Sequence, residues 1–475
     1  MLKKIYHSIY SIKTVVNVLM ALLIFIILKV FGNIELKGSH KLLYAIIYIF
    51  IIWALFECLL KKDYFYIMFL YLMALPLQNW FIQTQNVFNI VIFPFLINYS
   101  FVFLFIFLVK IIFNQRKIKK VKLQVLFSFW CIMLFSIISI INSKNVFNAI
   151  NGITYGLIIP FMVFLIIINI LKDKKDIILI CEAIVLSLLF YNIFSFVLEN
   201  TVLLYVDFGE VSARGIFGNP NFYAPLLMVS SLLSMYLIYY YKTTQGVFKT
   251  LYFSAFCLSM YLLLMTGTRG GMIGFFVSLW LFFYQIFRLN MKYLLLSIFI
   301  TVLISITFYI DIFKFLQASE LVAISRFLSQ GLKTERLSIW LLSYDFILAK
   351  GLFFSGIGMG LLMYEEIGWS CSHNAFLYLS ATIGVIGSIL YYYILISSIN
   401  IKSLLKRNIN KNIPGIIVLS NFIYINIVGY QILLYNYYDP HLGDSSLNVH
   451  IYVIYLWIFV GVSYFASNSR LLFKS

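Results

Sequence analysis

Charge is scarce in this chain. Only 11% of its 475 residues are Asp, Glu, Lys or Arg, and 63% are hydrophobic, a balance that excludes an ordinary soluble domain. Acid is scarcest, with 17 Asp and Glu against 35 Lys and Arg and a net charge of +18. The basic residues sit in short clusters between apolar runs, which argues for loops facing an anionic membrane surface and against nucleic acid. Cysteine is also sparse. Four of the five, Cys58, Cys131, Cys181 and Cys257, fall in apolar runs, and Cys371 alone lies in a polar loop, so neither a disulfide nor a metal spacing is expected. No small-residue cleavage site follows the first hydrophobic run, which reads as a retained helix.

What is abundant is length of apolar sequence. A run of about 20 apolar residues crosses a hydrocarbon core, and it does so as a helix because no water is there to bond the backbone. The expected fold is all-α: a polytopic membrane protein with spans near 14–32, 42–60, 64–82, 87–112, 123–142, 152–171, 177–198, 221–241, 250–266, 270–287, 293–312, 373–399, 413–434 and 448–466. It divides into N-terminal spans (1–200), spans with polar connections (201–312), one large loop (313–372) and C-terminal spans (373–475).

An N-terminus in the cytoplasm puts about 23 of the 35 basic residues inside and about 10 outside. Both termini are then cytoplasmic and the large loop is extracytoplasmic. Arginine departs from the pattern that lysine follows: Arg214, Arg269, Arg326 and Arg336 fall outside. A guanidinium fork bonds phosphate oxygens bidentately and sheds water more readily than an ammonium. Two readings fit, a face that binds phosphate or arginines that snorkel and pair with Glu320 or Glu335.

Three outer segments deliver polar residues where a span begins. Arg214-Gly215-Ile216-Phe217-Gly218-Asn219-Pro220-Asn221 precedes one, with Asn219 and Pro220 suited to the cap and first helical position. Thr266-Gly267-Thr268-Arg269-Gly270-Gly271 opens another, and Ser372-His373-Asn374 a third, with Ser372 as the expected cap. A helix start presents unpaired N–H groups and the positive end of the dipole, so each suits an anion. Gly270 and Gly271 either admit a phosphate to the backbone or serve close helix packing.

Within the loop, residues 334–350 read as an amphipathic helix on the membrane surface, with Arg336, Trp340 and Tyr344 at spacings of four and Trp340 and Leu341 as anchors. Ser355 to Gly360, SGIGMG, reads as a tight turn, since no strand–helix unit surrounds it. His373 is the candidate base, with Glu365 or Glu366 in reserve. Asp439, His441 and Asp444 read as turn chemistry, not a metal site.

These residues resemble the O-antigen ligase and polymerase superfamily of multi-span bacterial glycosyltransferases. Arg214 with GIFGNPN, TGTRGG around Arg269, Glu335-Arg336 followed by Trp340, the SGIGMG turn and His373-Asn374 occur in the family order across residues 214–387. Thr268 stands where serine is common, and the proline usual before the glycine turn is missing. The first 200 residues match in hydropathy alone.

The resemblance implies a bacterial cytoplasmic-membrane enzyme that uses a polyprenyl-diphosphate-linked glycan donor and a sugar acceptor at the outer face. No cofactor, nucleotide sugar or metal is implied. Arg269 and Arg336 would grip the diphosphate, with Arg214 assisting, and His373 would position or deprotonate the acceptor; Asn221, Gly270, Arg326, Trp340 and Asn374 complete the expected binding set. Chain-length regulator and flippase proteins are the implied partners. A polymerase is the first expectation and a ligase to a lipid or protein acceptor the second. A flippase for the same lipid is the alternative of another class, disfavoured by the absence of an internal repeat.

Overall fold

Apolar runs this long satisfy their backbones only by bonding within themselves, and the chain is accordingly built of helices packed side by side. The computed structural model describes residues 53–61, 63–83, 99–114, 119, 121–144, 146–198, 204–207, 210–213, 220–241, 246–266, 268–287, 336–358, 374–399, 404, 409–428 and 449–468. The expected spans at 14–32 and 293–312, and most of 42–60, lie outside them.

After helical residues 53–60 come α1 (Tyr64–Gln83), α2 (Tyr99–Asn114), α3 (Leu123–Ile141) and α4 (Val146–Ile153). A π turn (Thr154–Ile158) leads into α5 (Ile159–Ile170), followed by α6 (Lys174–Leu198). Next are α7 (Pro220–Tyr240), α8 (Gly246–Met265), α9 (Arg269–Phe287) and α10 (Arg336–Ala349). The last are α11 (Ala375–Ile383), α12 (Val385–Ser398), α13 (Ile409–Val428) and α14 (Val449–Asn468). The one departure from helix among the described elements is a two-stranded antiparallel ribbon, β1 (Leu204–Asp207) and β2 (Glu210–Ala213), in register Leu204 to Ala213 and Asp207 to Glu210. An all-α reading of the sequence missed it, because four-residue strands carry too little periodicity to register.

Among the described residues four stretches are long and apolar enough to cross a membrane: Leu123–Ile141, Lys174–Ile193, Tyr223–Tyr240 and Phe248–Met265. The second and third are 78% buried, the first and last 33% and 28%, so α6 and α7 form the interior while α3 and α8 present apolar side chains outward. The interior helices are fastened by amides and hydroxyls. Asn192 on α6 donates to Ser259 on α8 at 2.8 Å and accepts from the Tyr223 hydroxyl on α7 at 3.0 Å; Ser259 in turn donates to Ser230 at 2.8 Å. All four are buried, where such bonds have no competing water. At a helix end, Lys110 donates to the main-chain oxygens of Cys58, Leu59 and Lys61 and so closes residues 53–60.

The largest correction concerns residues 373–399, expected as one span. Residues 374–399 fold back on themselves. Ser380 donates to Ser388 at 3.2 Å and the rings of Phe376 and Tyr392 meet at 5.5 Å, pairs that a straight helix would hold about 12 and 24 Å apart along its axis. Both pairs are symmetric about Gly384, whose φ of 87° is open to glycine. Hydropathy alone cannot distinguish this hairpin from a span, since both of its arms are apolar.

The turn at residues 351–358 fills the bend. Ile357 and Gly358 donate to the oxygens of Ala381 and Thr382 at the end of α11, at 2.9 and 3.1 Å, while Val385 and Ile386 at the start of α12 donate to Leu352 and Phe353 at 3.0 and 3.1 Å. Four backbone groups orphaned by the break are thereby satisfied. A Cβ on Gly356 would lie 2.1 Å from the Thr382 carbonyl carbon. The end of α3 grips the turn from the other side: Ser139 accepts from Gly356 N–H at 2.8 Å and the Asn142 amide donates to the Ser355 hydroxyl at 3.1 Å.

Candidate functional site

Three helices begin at one end of the bundle. Helix α7 opens on Pro220, whose fixed φ and missing N–H suit a first turn. The ribbon just before it packs on α8 and ends at buried Ala213, next in sequence to Arg214. Helix α9 opens on Arg269, after a turn in which the Thr266 and Thr268 hydroxyls pair at 2.8 Å and Thr268 O accepts from Met272 N–H at 3.2 Å. Helix α11 follows Asn374, whose side chain accepts from Leu377 N–H at 3.1 Å. The cap is thus Asn374 and not Ser372, because its oxygen sits at the reach that bonds the third helical N–H.

Helix α13 brings these starts together. It runs antiparallel to α9, with Gly274 against Tyr424, Ser278 paired with Ser420, and Asn412 donating to Gln285 at 2.9 Å. At its far end the Tyr424 hydroxyl donates to Asn221 O in α7 at 2.5 Å, and Asn426 O accepts the Asn374 amide at 3.0 Å. Asn426 Oδ1 also accepts from Tyr392 at 2.7 Å, binding the other arm of the hairpin. Between α7 and α9 there is no slack: a Cβ on Gly271 would meet the Ala224 methyl at 3.0 Å and Thr268 Oγ1 at 2.8 Å.

Of the expected site residues, Asn221, Gly270 and Asn374 therefore stand at this shared end, with Arg269 as the first residue of α9. Gly270 is buried, and Gly271 serves close packing of α7 on α9. Arg336 is the first residue of α10 and Trp340 lies half-buried one turn on. Tyr344, expected in line with them, is 51% exposed, whereas Ser343 and Ile347 are buried. Arg214, Arg326 and His373 lie outside the described residues, as do Asn219, Ser372, Glu365, Glu366, Asp439, His441 and Asp444; of Arg269 and Arg336 the backbone alone is described.

No protein-family model matches the chain, and no curated protein matches its sequence. Geometry and chemistry therefore carry the reading. Helix beginnings concentrate positive potential, and here two of them, α7 and α9, run parallel with their starts in contact. Helix starts of this kind suit an anion, and Arg269 is the first residue of one of them. Sequence reasoning missed Tyr424 and Asn426, which join the starts, and Tyr392, which ties the second arm of the hairpin to Asn426. The available signal was an amide inside an apolar run, since such groups fasten helices to one another. It also missed Glu182 on α6, which accepts from Tyr241 and from Tyr252 at 3.2 Å near the opposite ends of α7 and α8.

Proposed function

We propose that this protein is a membrane glycosyltransferase that transfers a growing polyprenyl-diphosphate-linked glycan onto the next lipid-linked repeat unit, at the outer face of a bacterial cytoplasmic membrane. The observation that carries the reading is the meeting of the Asn221, Gly271 and Asn374 helix starts at the Tyr424–Asn426 end of α13. In this reading the described helices belong to a bundle of about 14 spans with both termini inside, and the hairpin about Gly384 keeps its parity: α11 begins outside and α12 returns to the cytoplasm.

The chemistry follows from the donor. Its sugar already carries a diphosphate leaving group, so the protein must stabilise charge that grows on the leaving oxygen as the anomeric C–O bond breaks. Arg269 and Arg336 hold the diphosphate, assisted by Arg214 and Arg326 and by the first N–H groups of α9; Trp340 and Asn221 line its path. The acceptor hydroxyl oxygen attacks the anomeric carbon and yields its proton to His373, and the lipid diphosphate leaves with the bond's electron pair. Asn374 keeps the helix that follows His373 in place.

Reconstitution into vesicles with a lipid-linked repeat unit as the sole substrate tests the reading. A ladder of lengthening lipid-linked products supports it; transfer that waits for a separate lipid or protein acceptor assigns a ligase. Movement of repeat units across the bilayer with no new glycosidic bond replaces transfer with transport.

A further inference from the structure

Helix α10 has three faces. Ile339, Ser343, Phe346 and Ile347 are buried, and the helix packs on α11. Leu337, Leu341, Tyr344 and Leu348 form an exposed apolar stripe at steps of four, three and four. Exposed Ser338 and Asp345, seven residues apart with exposed Leu342 in register between them, put polar groups beside that stripe. A soluble helix would not present two apolar faces, and a spanning helix would not carry exposed polar groups beside such a stripe.

The apolar stripe does not end with the helix. Phe353 and Phe354 continue it, with Phe354 66% exposed, although their backbones are pinned against the bend at Gly384. The next residue, Ser355, accepts from Asn142 at the end of α3. There the outward face of α3, formed by Phe127, Trp130, Leu134, Ile137 and Ile141, runs to its last helical residue, 83% exposed. The two exposed surfaces thus meet at the Asn142–Ser355 bond. A patch of this kind on a free-standing loop would be costly in water.

We infer that residues 337–354 are a wedge seated in one leaflet of the bilayer, with the Leu337–Leu348 stripe and the Phe353–Phe354 tip against lipid acyl chains and the Ser338–Asp345 edge toward water. The partner is the lipid itself. Lys350, exposed just beyond the helix, reaches from this position to the headgroup layer. The segment is on this account an intramembrane element braced between α3 and the hairpin, and Trp340, half-buried, is not its anchor. The inference stands on the fold and holds whether or not the chain transfers sugars.

Footprinting of the full chain in phospholipid vesicles tests it, with a diazirine reagent that partitions into acyl chains and a charged diazirine confined to water, each read by peptide mass spectrometry. The lipid-partitioned carbene is expected to modify Leu337–Leu348 and Phe353–Phe354 at yields within about threefold of the Trp130 face of α3, which serves as the internal standard. The aqueous reagent is expected to modify the Asp345 edge and Lys350. Preferential or equal modification of the stripe by the aqueous reagent would overturn the inference, and so would protection from both reagents, which would mean that protein covers it.

Discussion

The side-chain amide of Asn374 donates to the main-chain oxygen of Asn426 at 3.0 Å, while its carbonyl caps α11 by accepting from Leu377 N–H at 3.1 Å. One residue thus starts a helix and ties that start to α13. Asn374→Ser keeps a capping oxygen and loses the tie, so it is expected to lower stability by ~1 kcal/mol; Asn374→Leu loses both and is expected to cost ~2 kcal/mol. Thermal unfolding in detergent ranks the two, and equal melting points would mean that the capping oxygen contributes nothing beyond the tie.

Glycine is required at the bend for two separate reasons. Gly356 has a carbonyl carbon where a Cβ would go, and Gly384 has both a positive φ and the Phe354 carbonyl carbon 2.9 Å from the same position. Either alanine substitution is expected to destabilise by at least ~1–3 kcal/mol. Gly246→Ala, at a helix start with nothing within 4 Å, is expected to leave the melting temperature unchanged or raised, and it controls for the handling of the variants.

The bonds among Asn192, Tyr223, Ser259 and Ser230 make a further prediction about the interior. Asn192→Ala removes two buried bonds, to Ser259 on α8 and from Tyr223 on α7, and is expected to cost ~2–3 kcal/mol; Tyr223→Phe leaves one acceptor unmet and is expected to cost ~1 kcal/mol. Unfolding of the purified variants measures both, and the opposite order would mean that α7 contributes more through the ring hydroxyl than the amide does through its two bonds.

Much of this architecture is readable from sequence, and the limits are physical. Apolar length identifies α3, α6, α7 and α8, and a proline at 220 marks the start of α7 within a residue. The helix expected over 334–350 runs Arg336–Ala349. The bend at Gly384 is silent in hydropathy, because folding an apolar helix back on itself changes no residue's character. Its signature was the pair of small polar residues Ser380 and Ser388 with a glycine midway, which is visible only when a hairpin is already suspected. The joining of helix starts through Tyr424 and Asn426 depends on contacts more than 50 residues apart, which no local pattern encodes.

If the arginines act through their planar forks, charge alone will not replace them. Arg269→Lys and Arg336→Lys are each expected to lower transfer of lipid-linked glycan about tenfold or more, close to the alanine variants. His373→Ala is expected to slow transfer while leaving donor binding intact. Product analysis over time in vesicles reads all of these, and full activity of both lysine variants would reduce the fork to a simple point charge.

On the proposed reading this end of the bundle holds a lipid diphosphate. The direct measurement is equilibrium binding of a polyprenyl diphosphate to the purified full chain, beside the Arg269→Ala and Arg336→Ala variants and against the matching monophosphate. The account predicts that the diphosphate binds more tightly than the monophosphate and that each arginine variant loses about tenfold or more in affinity. Equal affinity for both lipids, unchanged in the variants, would contradict it.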